Sequence, residues 1–379
     1  MPIPGMQLPV FVDNRALYQQ MVAHLTSQTS IAVDTESNSL HAYQEKVCLI
    51  QISSLTRDFL LDPFPFDQLD ALGQIFANPD IQKIFHAGDY DLTCLKRDYA
   101  FQFENVFDTM LAANALGETT LGLAGLLQKY LEVEIDKKYQ RADWGKRPLK
   151  PEMLVYAQSD SHYLLSLRDY LVPLLLEKGR MELVQEDCAV LARQTPPMKN
   201  HVENLWKVKG VNGMKPKALS LLKQLNHLRE TLAKEQDLPP FKIMSDQALV
   251  EIAQTQPKFI KELDLLPSLS RGQVKRYGKK IMKAVEHWRK EPGKVEKRRF
   301  TRMDDEAVQR REILGDWRKQ VGLAQGVSSN VILPKDLLES IAATPLQDLQ
   351  GLERAMQSSP SRFNQYGREI LALLRKDDE

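Results

Sequence analysis

Residues 30–62 read SIAVDTESNSLHAYQEKVCLIQISSLTRDFLLD, and this stretch decides the fold. It holds three short apolar runs, Ser30–Asp34, Val47–Ser53 and Phe59–Asp62, with the length and composition of strands. No crossover helix fits between the second and third, so these neighbours pair antiparallel. Beyond them the pattern changes. Short runs at Ile81–His86 and Val106–Asp108 alternate with helical stretches at Gly88–Asp98, Thr109–Leu116 and Leu121–Leu131, which makes the later strands parallel. The expectation is a mixed sheet with helices on its faces, an α/β layered domain over residues 1–195.

Carboxylates sit where these elements end. In a strand, residues i and i+2 point to one face, so Asp34 and Glu36 leave the first run on the same side. Asp91 follows the turn at Gly88 and falls in the first turn of the next helix, where the helix dipole alone would favour an acid. Asp89 competes for the same role, and spacing does not separate the two. Tyr156 and Asp160 are four apart on a helix that Pro151 helps to start, which stacks the phenol over the carboxylate. Each feature alone is ordinary: a polar strand end, a helix-start acid, a half-buried tyrosine. Together they make four acids able to converge on one cleft. Four carboxylates without a Cys or His cluster suit two Mg²⁺ or Mn²⁺ ions rather than zinc, and such a pair typically hydrolyses phosphodiester bonds. His86, at a strand end, is a candidate contact for phosphate; a structural hydrogen-bonding role is the plainer alternative. No G-x-x-x-x-G-K-[ST] loop is present, so no nucleotide cofactor is expected.

The 51 basic and 50 acidic residues nearly cancel, but they are unevenly placed. Between His201 and Phe300 stand 22 Lys or Arg and 11 Asp or Glu, a local net of +11 that fits a polyanion-binding module beside an acidic front segment. Cys48, Cys94 and Cys188 form no CxxC pair and read as buried free thiols. The first residues lack a signal-peptide pattern and no run of eighteen apolar residues occurs, so a soluble, cytoplasmic protein without membrane contact is expected.

Pro196–Pro197 breaks the pattern and marks a linker, after which the chain reads as helices. This half repeats itself. Shifted by 89 residues, Arg229, Gln236, Ile243, Leu249, Ile252 and Ala253 fall on identical residues, and Tyr277-Gly278 falls on Tyr366-Gly367. Two copies of a small helical domain, near 205–290 and 303–379, follow, joined by the basic stretch Lys294–Arg302. In the first copy Lys275, Arg276, Lys279, Lys280 and Lys283 recur at helical spacing and could make one positive face for phosphates. The second copy has Asn364-Gln365 in place of Lys275-Arg276.

These motifs resemble the DEDD family of 3′–5′ exonucleases, and within it the ribonuclease D group. LIQIS at Leu49–Ser53, FDTMLAA at Phe107–Ala113, DWGKRPL at Asp143–Leu149 and YAQSDSHYL from Tyr156 carry the likeness. The duplicated helical domain resembles the HRDC domain. The resemblance implies a ribonuclease H-like fold, takes Asp91 rather than Asp89, and places the chain in the tyrosine subclass. It implies two-metal hydrolysis with Asp34 bridging both ions, Glu36 and Asp160 on the one carrying the attacking water, and Asp91 supporting the second. Tyr156 would orient the water, and nucleoside 5′-monophosphates would leave from RNA 3′ ends. Substrates implied are tRNA precursors and other small structured RNAs. A DNA 3′–5′ exonuclease of the same fold and a non-catalytic RNA-binding protein are the alternatives.

Overall fold

The computed structural model describes residues 7–195, 205–295, 304–344 and 348–375. The expected linker at Pro196–Pro197 and the Glu296–Arg302 part of the basic stretch lie outside the described residues.

Six strands form one sheet among the described residues: β1 (Val10–Val12), β2 (Ser30–Ser37), β3 (Val47–Ser53), β4 (Asp58–Leu61), β5 (Gln82–Phe85) and β6 (Val106–Asp108). Their spatial order is β1-β4-β3-β2-β5-β6. β2, β3 and β4 pair antiparallel in sequence order, while β5 lies parallel to β2 and β6 parallel to β5. This is the mixed sheet expected. β2 runs three residues past Asp34 because Thr35 and Glu36 keep their partners Ile50 and Leu49 before a bulge at Glu36/Ser37. β1 had not been expected: it is three residues long and gains strand character only by lying parallel to β4.

Helices cover both faces. In chain order they are α1 (Arg15–Thr26), α2 (Asp70–Ala77), α3 (Asp89–Tyr99), α4 (Thr109–Leu116), α5 (Leu123–Leu131), α6 (Pro151–His162), α7 (Leu164–Glu177) and α8 (Met181–Arg193). Alternation along β2 shows the two layers. Ile31 and Val33 join a core with Leu72, Phe76 and Leu95, whereas Ala32 joins another with Ala112, Leu126 and Leu171. A third cluster packs Leu49 and Leu60 beneath Tyr156 and Ala157 of α6.

Two compact units result, each with its own core. One holds residues 38–46 with α9 (Pro216–Gln236), α10 (Pro240–Ile243), α11 (Asp246–Thr255), α12 (Ile260–Leu263) and α13 (Arg271–Lys290). There the Tyr43 amide donates to Asp237 at 3.0 Å. The other unit joins the sheet and its helices to α14 (Asp305–Gln325), α15 (Ser329–Ile332), α16 (Lys335–Ala343), α17 (Leu349–Ala355) and α18 (Pro360–Arg375). The shift of 89 carries α9 onto α14 and α10 onto α15 residue for residue, and α11, α12 and α13 onto the starts of α16, α17 and α18. Identical residues recur because their contacts recur. Arg229 donates to the Met244 carbonyl and Arg318 to that of Leu333, its counterpart; Tyr277 bonds Gln236 as Tyr366 bonds Gln325.

The C-terminal repeat is fastened to the helices that cover the sheet inside its unit. Arg362, fully buried, reaches Glu186 and Asp187 of α8 at 3.3 and 2.8 Å. Gly117, at φ 87°, ends α4 so close to Gly326 that a Cβ would lie 2.2 Å from the Gly326 carbonyl oxygen. No helix among the described residues is long and apolar enough to cross a membrane.

Candidate active site

Three elements deliver the acids. Asp34 and Glu36 stand in the last half of β2, Asp91 is the third residue of α3, and Asp160 lies in α6 one turn after Tyr156. α3 begins where it does because the Gly88 amide donates to Asp108 at 2.8 Å, and Asp108 in turn caps α4 through the Met110 and Leu111 amides. That turns Asp91 inward, to 8% exposure, while Asp89 faces solvent. Thr35 fastens Asp91 further, its hydroxyl donating to Asp91 Oδ1.

The charges report their own proximity. Asp34 is pushed well above the ordinary carboxylate range by burial, then by the charges of Asp91, Asp160 and Glu36. Burial, then Asp160 and Asp91, do the same to Glu36. Asp160 is raised to about 7 by burial and the Asp91 charge, although the Tyr156 hydroxyl donates to it, and Asp91 is raised to about 6, mainly by burial. Burial, then Asp160, Glu36 and Asp34, hold the Tyr156 phenol well above its usual value, so it keeps its proton at neutral pH. Among the described residues, no Lys or Arg is among the principal charges on these four acids. As the side chains stand, no three His, Cys, Asp or Glu among the described residues close around one point as metal ligands do. The acids are gathered without being clamped. An all-oxygen, uncompensated donor set fits a hard divalent cation.

Tyr156 is held from outside by the DWGKRPL segment. Trp144, 1% exposed, lies tilted against the Tyr156 ring with centroids 6.0 Å apart, and Tyr139 meets it edge-on at 5.9 Å. Arg147 anchors that segment with a two-pronged bond to Asp62 at 2.6 and 2.9 Å and a third to the Cys48 carbonyl. A cleft of about 520 Å³ opens beside Tyr156, between Tyr139, Pro151, Val155 and Ser159.

The remaining candidates are placed differently. His86 follows β5, but its Nδ1 is 2.9 Å from the Thr109 hydroxyl, and burial lowers its basicity despite nearby Asp108 and a bond to the Leu121 backbone. It is a neutral, tethered imidazole. Lys275, Arg276, Lys279, Lys280 and Lys283 are all exposed along α13 of the other unit. They do not form one uniform row: Lys280 turns to Glu235 at 3.3 Å, and Arg276 lies over the Tyr277 ring. Sequence reasoning had missed Thr35, Asp108 and Arg147, whose roles depend on partners 20 to 85 residues away.

Comparison with known proteins agrees with this architecture. Residues 9–176 match the 3′–5′ exonuclease family, and residues 218–285 and 308–374 each match the HRDC domain. The chain is therefore a 3′–5′ exonuclease domain followed by two HRDC domains. It belongs to the ribonuclease D family, being 32% identical to the ribonuclease D of Haemophilus influenzae over 74% of this chain and 71% of that one. It is also 31% identical to the exosome complex exonuclease RRP6 of Saccharomyces cerevisiae, over 66% of this chain but 36% of the relative. The chain spans about a third of the length of that protein and of two others like it. Escherichia coli RNase D shares the fold, with a TM-score of 0.70 over 98% of this chain and 99% of that one at 20% identity.

Proposed function

We propose that this protein is a 3′–5′ exoribonuclease that trims RNA 3′ ends and releases nucleoside 5′-monophosphates. The observation that carries the reading is the cluster itself: Asp91 and Asp160 raise both Asp34 and Glu36, Asp91 raises Asp160, and no basic side chain among the described residues is a principal neighbour of the four. Asp34, Glu36, Asp91 and Asp160 would hold two divalent cations, Mg²⁺ or Mn²⁺. Such ions, when bound, supply a reactive water and stabilise charge on the attacked phosphate and the leaving 3′ oxygen. The chain's own contribution is positioning. Tyr156 keeps its proton and donates it to Asp160, so its phenol oxygen would accept from the attacking water and orient it rather than serve as its base. Glu36, at the same strand end, would help to orient that water. The exposed basic residues of α13 would add phosphate contacts that give affinity without sequence choice. Precursor tRNAs and small structured RNAs are the proposed substrates.

A 5′-labelled tRNA precursor with a short 3′ trailer, incubated with Mg²⁺, Mn²⁺ or EDTA, tests this beside a matched single-stranded DNA. Stepwise shortening of RNA is expected, absent in EDTA and in Asp160→Ala. Shortening of DNA alone would replace the reading by a DNA exonuclease. Tight RNA binding without shortening would leave a binding protein.

A further inference from the structure

Among the described residues, Gln51 is a polar side chain that the site leaves unused. It is fully buried, yet neither its Oε1 nor its Nε2 has a hydrogen-bond partner. An unmatched buried amide destabilises a fold, so a residue of this kind calls for a partner that the resting arrangement does not supply. Its place follows from register. Gln51 stands directly opposite Asp34 in the β2–β3 pair, and opposite residues of an antiparallel pair project to one face. Leu49 and Ser53, two residues to either side, share that face. Leu49 packs in the cluster that includes Tyr156 and Ala157, and the Ser53 hydroxyl lies 2.8 Å from that of Ser161. The Gln51 amide therefore sits under α6, between the Asp34 strand and the helix bearing Tyr156 and Asp160.

We infer that Gln51 is a positioning residue whose Nε2–H donates to the Asp34 carboxylate when that carboxylate turns to hold a divalent cation. The inference rests on the metal reading proposed above and extends it to a residue outside the acid set. A carboxylate that binds a cation through one oxygen presents the other to a neighbouring donor, and such donors fix the ligand's rotamer. A glutamine kept only for packing would be matched by methionine, which has similar length and no amide.

Gln51→Met in the full chain separates the two roles. Mn²⁺ binding is followed by the electron paramagnetic resonance signal of free Mn²⁺, and thermal denaturation is recorded in EDTA. The expected result is a Mn²⁺ midpoint about 10–100-fold higher than that of the unsubstituted chain, with an unchanged or raised Tm in EDTA. Gln51→Leu serves as a second apolar variant should methionine repack the site. A midpoint within twofold of the original overturns the inference. So does a shifted midpoint accompanied by a lowered Tm in EDTA, since that marks a packing role. An unsubstituted chain that binds no Mn²⁺ overturns the metal reading itself, and is seen before any variant is compared.

Discussion

Asp160 shows how a single residue is tuned. Burial and the Asp91 charge hold it near 7, where a free aspartate would titrate near 3.8. Its folded value lies above its unfolded one, so the folded state binds the extra proton between those limits. The stabilising contribution of the protonated form is complete below about 4 and is lost as pH rises through about 7. Metal-free protein should therefore lose thermal stability from pH 5 to pH 7.5, a loss that Asp160→Asn flattens. Saturating Mg²⁺ at pH 7.5 should raise the Tm of the original chain and leave that of the variant nearly unmoved. Denaturation scans at stepped pH, with EDTA or Mg²⁺, read both effects. An equal pH dependence in the two proteins would show that Asp160 is not the titrating group. Asp34, Glu36 and the Tyr156–Asp160 pair could be singled out from sequence because strand and helix periodicity alone determine which residues share a face. Choosing Asp91 over Asp89 from the residues alone was out of reach. That choice depends on Asp108 and Thr35, which lie 17 and 56 residues from Asp91.

At the level of elements, long apolar runs were legible and short or borrowed structure was not. VCLIQIS is buried at every position and could hardly be anything but a central strand. VFV could not be recognised, because three residues carry no period and its partner β4 lies nearly fifty residues on. The segment around Trp144 is a similar case: without regular structure of its own, it is fixed by Arg147. That guanidinium spans the Asp62 carboxylate, the Cys48 and Trp144 carbonyls and the face of Phe64. Arg147→Ala should destabilise the sheet unit by about 3 kcal/mol, because it strands a carboxylate that is 5% exposed. Arg147→Lys should restore only part of this, since a lysine cannot form the two-pronged bond. Urea titration measures both. A cost below about 1 kcal/mol for the alanine variant would mean that the segment holds itself.

Across the whole molecule, the duplication is the dominant regularity, and its copies have parted at one telling position. Gln273 of α13 completes a capping box with Ser270 and bonds the Ile243 carbonyl. Its counterpart, 89 residues on, is Arg362, which reaches past its own repeat to two acids of α8. Arg362→Gln restores the residue of the first copy and should unfasten α18 from α8. The expected outcome is faster amide exchange in α8 and α18, and a stability loss of about 3 kcal/mol. Unchanged exchange in both helices would show that the Gly117–Gly326 approach suffices. Periodicity and the repeat frame foretold two similar helical domains, but not that only the second would share a compact unit with the sheet. That depends on individual contacts across long sequence separations, among them Arg362 with Glu186 and Asp187 and the Gly117–Gly326 approach.

Val331 of α15 is counted in the same apolar cluster as Phe107, Leu126 and Leu171. A residue of the last repeat thus helps to seal the interior of the sheet unit. Shortening the gene from its 3′ end as far as α15 would uncover that interior.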